Sequence, residues 1–219
     1  MKITVLKNVM CKNNAVGEDN RQQFKDHKIL TLNLLSSPGA GKTTLLEKTL
    51  QLLHKKYKTA VIEGDLYTSR DAERLARFDI PLIQINTEGG CHLDARMIAT
   101  AMEGLPLNSL DVLFIENVGN LVCPSSFDLG ESKRVLLYSV TEGEDKPSKY
   151  ATMFQAADLV LINKTDLARA CGIDLQVMKQ EITKINPRAK IYTLCAKDEL
   201  TLSSWISWIE ENLNEIKSR

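Results

Sequence analysis

The sequence has no charge of one sign to spare: 28 lysines and arginines stand against 28 aspartates and glutamates. A protein whose main partner is nucleic acid presents a basic face, so that class is disfavoured. No apolar run approaches the roughly 20 residues of a membrane-spanning helix. The N-terminus lacks the basic-then-apolar pattern of a signal peptide. No Cys-x-x-Cys pair occurs, and the five cysteines (Cys11, Cys91, Cys123, Cys171 and Cys195) are odd in number. Without an export signal they read as reduced thiols rather than a disulfide framework, and the expected compartment is the cytosol. There is no internal repeat, low-complexity tract or linker, so the 219 residues, 43% of them hydrophobic, are expected to fold as one α/β domain.

The most informative stretch present is Ser36-Ser37-Pro38-Gly39-Ala40-Gly41-Lys42-Thr43-Thr44. It follows an apolar run over 29–35 and precedes a helical pattern over 45–53. Strand, glycine loop and helix together define a phosphate-binding loop. Gly39 and Gly41 leave room for backbone N–H groups around a diphosphate, and the helix points its positive end there. Lys42 can reach the terminal phosphates, and Thr43 offers a hydroxyl to Mg²⁺. The usual pattern opens with glycine, where this chain has Ser36.

Residues 1–28 are polar and weakly patterned. Val5, Leu6, Val9 and Met10 recur at helical spacing, and 20–24 can continue a helix, so an N-terminal helical arm (1–28) is expected before the main domain (29–219). Cys11 and His27 could be metal ligands, but a lone cysteine or histidine is more often structural or merely exposed. Further strands are expected at 59–62, 81–85, 112–115, 134–140, 158–162 and 190–194. Helices are expected at 71–78, 93–102, 175–185 and 203–216, with a polar loop at 141–149. Apolar strands alternating with amphipathic helices imply a mostly parallel sheet flanked by helices on both faces.

In such sheets ligands bind beyond the carboxyl ends of the strands, where most of the polar clusters fall. Asp65 and Glu116 are the carboxylates best placed for Mg²⁺, which takes only one or two besides phosphate. Glu116 opens Glu-x-x-Gly, and Gly119 can bring an N–H near a terminal phosphate. Asn163-Lys164-Thr165-Asp166 selects the base. An ionised Asp166 only accepts hydrogen bonds, and guanine offers the two adjacent donors that adenine lacks. Lys164 can lay its stem across the base, and Cys195-Ala196-Lys197 can supply an N–H to the guanine oxygen.

With these motifs in place the chain resembles the hydrogenase nickel-incorporation GTPases, the HypB family. They belong to the P-loop class that includes signal-recognition and metallochaperone GTPases (the SIMIBI type). The resemblance spans nearly the whole chain. It rests on the glycine loop, Ile-Glu-Gly-Asp, Gly-Cys-His-Leu-Asp, Phe-Ile-Glu-Asn-Val-Gly-Asn-Leu-Val-Cys-Pro, Phe-Asp-Leu-Gly, Thr-Glu-Gly-Glu-Asp-Lys-Pro and Ile-Asn-Lys-Thr-Asp-Leu. Ser36 is usual in this family.

The resemblance implies a slow GTPase that binds GTP/GDP with Mg²⁺ and carries Ni²⁺ or Zn²⁺ at Cys91, His92 and Cys123. It also implies a homodimer, with the zinc-binding accessory protein HypA and the large subunit of nickel–iron hydrogenase as partners. It suggests Asp65 or Asp71 as helpers of the attacking water. Apart from the family, Cys91 and His92 follow one strand and Cys123 another, so both segments should reach the same rim. Thiolate and imidazole suit Zn²⁺ or Ni²⁺, although two buried cysteines beside a capping histidine fit the pattern as well. Some family members carry an N-terminal Cys-x-x-Cys-Gly-Cys motif or a histidine-rich stretch. Neither occurs here, so nickel storage is not expected. Three rivals stay open: another metallochaperone or cobalamin-enzyme GTPase, a nucleotide-dependent scaffold with structural zinc, and a small-molecule kinase. Asn-Lys-x-Asp disfavours the last.

Overall fold

The computed structural model describes residues 9–65 and 70–218. In chain order it runs α1 (Val9–Asp26), β1 (Leu30–Ser36), α2 (Lys42–Leu53), β2 (Thr59–Asp65), α3 (Arg70–Leu75), β3 (Leu82–Asn86), α4 (Ala95–Met102) and β4 (Val112–Glu116). It continues through β5 (Lys133–Ser139), α5 (Lys146–Lys149), α6 (Ala151–Ala156), β6 (Leu159–Asn163), α7 (Leu175–Ile185), β7 (Lys190–Thr193) and α8 (Ser203–Ser218). The seven strands form one sheet in the order β3-β2-β4-β1-β5-β6-β7, parallel throughout. Among the described residues no helix is long and apolar enough to cross a membrane.

A parallel sheet needs both faces covered, and the period-two alternation of the strands supplies two apolar faces. On one face Leu30, Leu32 and Leu34 of β1 join Val61, Phe114 and Leu137 beneath Leu46 and Leu50 of α2 and Trp205, Ile209 and Leu213 of α8. On the other, Ile62, Leu113 and Ile115 meet Phe24 of α1 and Ile98 and Met102 of α4. Farther along that face, Leu136, Tyr138 and Val160 meet Met153 and Phe154 of α6 and Met178 and Ile182 of α7. Asp94 and Asp174 cap α4 and α7, accepting hydrogen bonds from the N–H groups of Met97 and Gln176.

The N-terminal helix packs beside α4, held by side-chain amides. Asn13 Nδ2 donates to the Asp128 carbonyl at 2.8 Å while its Oδ1 accepts from Ala95 N–H at 2.9 Å. Asn20 Nδ2 donates to the carbonyls of Ala95 and Leu129. The expected arm residues Val5 and Leu6 lie outside the described residues.

One segment differs from expectation. The polar loop at 141–149 contains a 3₁₀ turn, Val140–Glu142, in which Ser139 and Glu142 cap each other, followed by α5 and α6. Four and six residues are too few for a 3.6-residue period to register in sequence, and Pro147, tolerated in a first helical turn, reads as a breaker.

Trp205 is 1% exposed, and its Nε1 donates to Thr49 Oγ1 at 2.8 Å. Trp205→Ala is expected to lower unfolding stability by about 3–5 kcal/mol in urea titrations. Leu200→Ala, at a site 88% exposed, is expected to change stability by no more than about 0.5 kcal/mol. Equal effects would contradict the packing of α8 on the sheet.

Candidate functional site

β1 ends at Ser36 and α2 opens at Lys42, so the glycine loop spans the turn between them. Gly41 precedes the helix at φ 104°, and a Cβ there would lie 2.7 Å from Asn163 Nδ2. Conformation and space both require glycine. No side chain caps the N-terminus of α2, so the N–H groups of its first turn are oriented for an anion. Lys42 Nζ donates to Ser36 Oγ at 2.9 Å. Ser37 Oγ is buried without a hydrogen-bond partner among the described residues, as expected of a group shaped for a ligand. A cleft of about 410 Å³ opens beyond the loop, and Lys42, Thr43, Asp65, Glu116 and Gly119 line it. At Gly119 a Cβ would come within 3.0 Å of Pro38 Cα, so the Glu-x-x-Gly turn touches the glycine loop directly.

Thr43 Oγ1 donates to Glu116 Oε1 at 2.7 Å, and Asp65 closes β2 on the same cleft. Hydroxyl and carboxylate oxygens are the donors Mg²⁺ prefers, and the set fits that ion. The structure adds Glu63, which the sequence analysis did not single out. It pairs in register with Glu116 on the neighbouring strand, lines the cleft and is 2% exposed. Arg74 of α3 also lines the cleft, its guanidinium on Thr44 Oγ1 at 3.2 Å and paired with Glu47. Asp71 belongs to α3, and its side chain lies outside the described residues.

Asn163 closes β6. Its Nδ2 donates to the Ala40 carbonyl at 2.8 Å and its Oδ1 accepts from Ala196 N–H at 2.9 Å. The buried amide thus braces the glycine loop against the Cys195-Ala196-Lys197 segment. Lys164 adopts a left-handed φ of 60°, and its Nζ donates to the Gly39 carbonyl at 2.7 Å. Asp166 is exposed beside it. Cys195 N–H is bonded to Thr201 Oγ1. Of the segment expected to supply one N–H to the base, the Cys195 and Ala196 N–H groups are therefore engaged within the protein, and that of Lys197 is hydrogen-bonded to the Cys195 thiol. Burial, assisted by Asp166, raises the pKa of the Cys195 thiol.

Cys91 and His92 follow the turn at 87–90, where Gly90 N–H donates to the Thr87 carbonyl at 2.9 Å. Cys123 is set by Asn120, whose Oδ1 accepts from the N–H groups of Val122 and Cys123 at 2.7 and 3.3 Å. One sulfur or nitrogen from each of Cys91, His92 and Cys123 falls within 4.8 Å of the others. His92 stacks on Phe127, ring centroids 3.7 Å apart, and its Nδ1 lies 3.5 Å from Cys91 Sγ. A hydrogen bond with Cys123, and secondarily burial, raises the Cys91 pKa; burial lowers that of His92 against the pull of Asp94. Both shifts favour the uncharged forms of Cys91 and His92, so a metal bound through the Cys91 thiolate would displace its proton. The soft sulfur and nitrogen donors fit Zn²⁺ or Ni²⁺. Three protein ligands, none fully buried, leave a position open. Cys11 and His27 join no such cluster among the described residues.

A larger cleft of about 740 Å³ lies among residues such as Lys133, Asp158, Arg188 and Glu211, and holds none of the motif residues.

The model of the CobW/HypB/UreG nucleotide-binding domain matches residues 30–193. The hydrogenase maturation factor HypB of Escherichia coli K12 is 50% identical over 202 residues, covering 92% of this chain and 70% of that protein. The probable hydrogenase maturation factor HypB of Methanocaldococcus jannaschii is 38% identical over 215 residues, covering 98% and 97%. Among solved structures, HypB from Helicobacter pylori in complex with nickel superposes with a TM-score of 0.88 at 39% identity, covering 93% and 96%. The parallel sheet, the glycine loop and these similarities lead to one conclusion: the chain is a member of the CobW/HypB/UreG family of P-loop proteins, on its HypB branch.

Proposed function

We propose that this protein is a GTP-hydrolysing metallochaperone that assists nickel insertion into the large subunit of a nickel–iron hydrogenase. One observation carries the reading. The segment from Glu116 to Cys123 begins at the Thr43 hydroxyl, touches the glycine loop at Gly119, and ends on a thiol within 4.8 Å of its partners Cys91 and His92. A phosphate sensor, Gly119, and a metal ligand, Cys123, thus lie four residues apart in one stretch. The relatives' names as hydrogenase maturation factors, and the nickel complex of the Helicobacter protein, support the process and the cargo.

In this account the α2 N-terminus and Lys42 hold the β- and γ-phosphates, while Thr43, Asp65 and Glu116 would hold Mg²⁺, which supplies charge neutralisation at the phosphates. Gly119 N–H donates to the γ-phosphate. Asp166 accepts from the guanine edge, with Lys164 along the base. Asp65 or Asp71 orients the attacking water. Cys91, His92 and Cys123 carry Ni²⁺ or Zn²⁺ as cargo, and loss of the γ-phosphate frees the 116–123 segment and alters metal affinity. Turnover is slow, as suits a switch. The protein acts in the cytosol as a nucleotide- or metal-dependent homodimer, with HypA and the hydrogenase subunit as partners.

Lys42→Ala should lower kcat for GTP hydrolysis about 100-fold or more, the order seen when one transition-state donor is removed; phosphate release at the parent rate would remove the loop from the mechanism. Asp166→Asn should shift preference from GTP to xanthosine triphosphate by on the order of 100-fold, because the amide reverses one acceptor into a donor. Equal loss for both nucleotides would refute the guanine assignment. Cys91→Ala and Cys123→Ala should each abolish stoichiometric nickel and zinc binding in titrations while GDP still binds. Parent-like metal binding in either variant would leave the protein a nucleotide switch without this cargo site.

A further inference from the structure

Asn117 lies one residue past the end of β4 and is 1% exposed. Its Oδ1 is shared between two backbone donors, Leu93 N–H at 3.2 Å and Val118 N–H at 2.9 Å. Leu93 immediately follows His92, and Val118 immediately precedes Gly119. One buried oxygen therefore holds the end of the Cys91-His92 segment and the start of the glycine turn together. The amide is fixed from behind: its Nδ2 donates to Asn33 Oδ1 at 3.3 Å, and Asn33 Nδ2 donates to Glu131 Oε1 at 3.1 Å. Arg134 Nε donates to the same Glu131 oxygen at 2.6 Å. The backbone N–H of Asn117 itself donates to the Leu34 carbonyl of β1.

A buried N–H that loses its acceptor is costly, so the two donors cannot move independently. If the 118–119 peptide turns toward a phosphate, Oδ1 must follow or release one donor, and Leu93 with its neighbour His92 shifts in step. Rotation of the amide is resisted by Asn33 and Glu131, which favours a small number of discrete arrangements over continuous drift. We propose that Asn117 is the positioning residue that couples the Gly119 turn to the Cys91-His92 half of the metal site, through the single acceptor it offers to Val118 and Leu93. This inference rests on the nucleotide-and-metal reading proposed above. It adds a second link: Cys123 is joined to Gly119 along the chain, and His92 is joined to it across the fold.

The test measures nickel and zinc affinity of the full chain, with GDP and with a non-hydrolysable GTP analogue, for the parent and for Asn117→Ala, each checked for folding by thermal melting. In the parent the two nucleotide states should differ about tenfold, within the ordinary range of coupling between sites. In Asn117→Ala the metal still binds in each state, but the ratio collapses to within about twofold, where a merely structural role would shift both states alike and preserve the ratio. A second measurement uses the parent alone. Amide hydrogen exchange at Leu93 should change protection between the two nucleotides, and it decides the matter if the variant does not fold. A parent-like ratio in Asn117→Ala, or identical Leu93 exchange in both states, overturns the role of Asn117 and leaves the metallochaperone reading standing. Absence of any nucleotide dependence in the parent overturns both.

Discussion

Because every strand of this sheet runs the same way, every strand delivers its carboxyl end to the same side. Residues distant in sequence meet there without any loop having to travel: Ser36, Asp65, Glu116 and Asn163 each close a strand. The central position of β1, between β4 and β5, puts the glycine loop at the middle of that edge. The Glu-x-x-Gly turn then falls on one side of it and the Asn-Lys-x-Asp turn on the other. Gly119 against Pro38, and Asn163 against Ala40, are the contacts in which this arrangement becomes a shaped site.

The price of such a rim is buried polarity. Glu63, Glu116, Asn117, Glu131 and Asn163 are all nearly inaccessible to water, and polar groups in that setting must be satisfied. Bridging amides do part of this: Asn33 donates to Glu131, while Glu116 accepts from the Thr43 hydroxyl. Asn13, Asn20, Asn117 and Asn163 each tie two segments that are remote in sequence. Asparagine suits the task because one short, uncharged side chain carries both a donor and an acceptor. Two of the four, Asn13 and Asn20, fasten α1 to Ala95 and to the 128–129 stretch, close in sequence to Cys91, His92 and Cys123.

Much of this was legible in the sequence, for identifiable reasons. Apolar runs ended by glycine or acidic clusters marked the strands, and the spacing of Gly41, Lys42 and Thr43 after one of them marked the phosphate site. The convergence of Cys91, His92 and Cys123 followed from parallel topology once each was placed beyond a strand. What escaped was of two kinds. Short elements such as α5 and α6 carry too few residues for a periodic signal. Residues such as Glu63 and Asn117 act through side-chain geometry that no spacing encodes: Asn117 sits inside a recognised motif, yet its bond to Leu93 crosses 24 residues. The same limit applies to Cys195-Ala196-Lys197, where the segment was identifiable but the prior engagement of two of its N–H groups was not.

The account makes nucleotide and metal two ligands of one bistable segment, and coupling between binding sites is reciprocal by thermodynamic necessity. The most direct measurement is therefore the affinity for GDP and for a non-hydrolysable GTP analogue, by calorimetry, in metal-free and nickel-loaded protein. The account predicts that nickel changes the ratio of the two nucleotide affinities, and by the same factor that the nucleotides change the affinity for nickel. An identical ratio with and without the metal would mean that the two sites share a rim but not a mechanism.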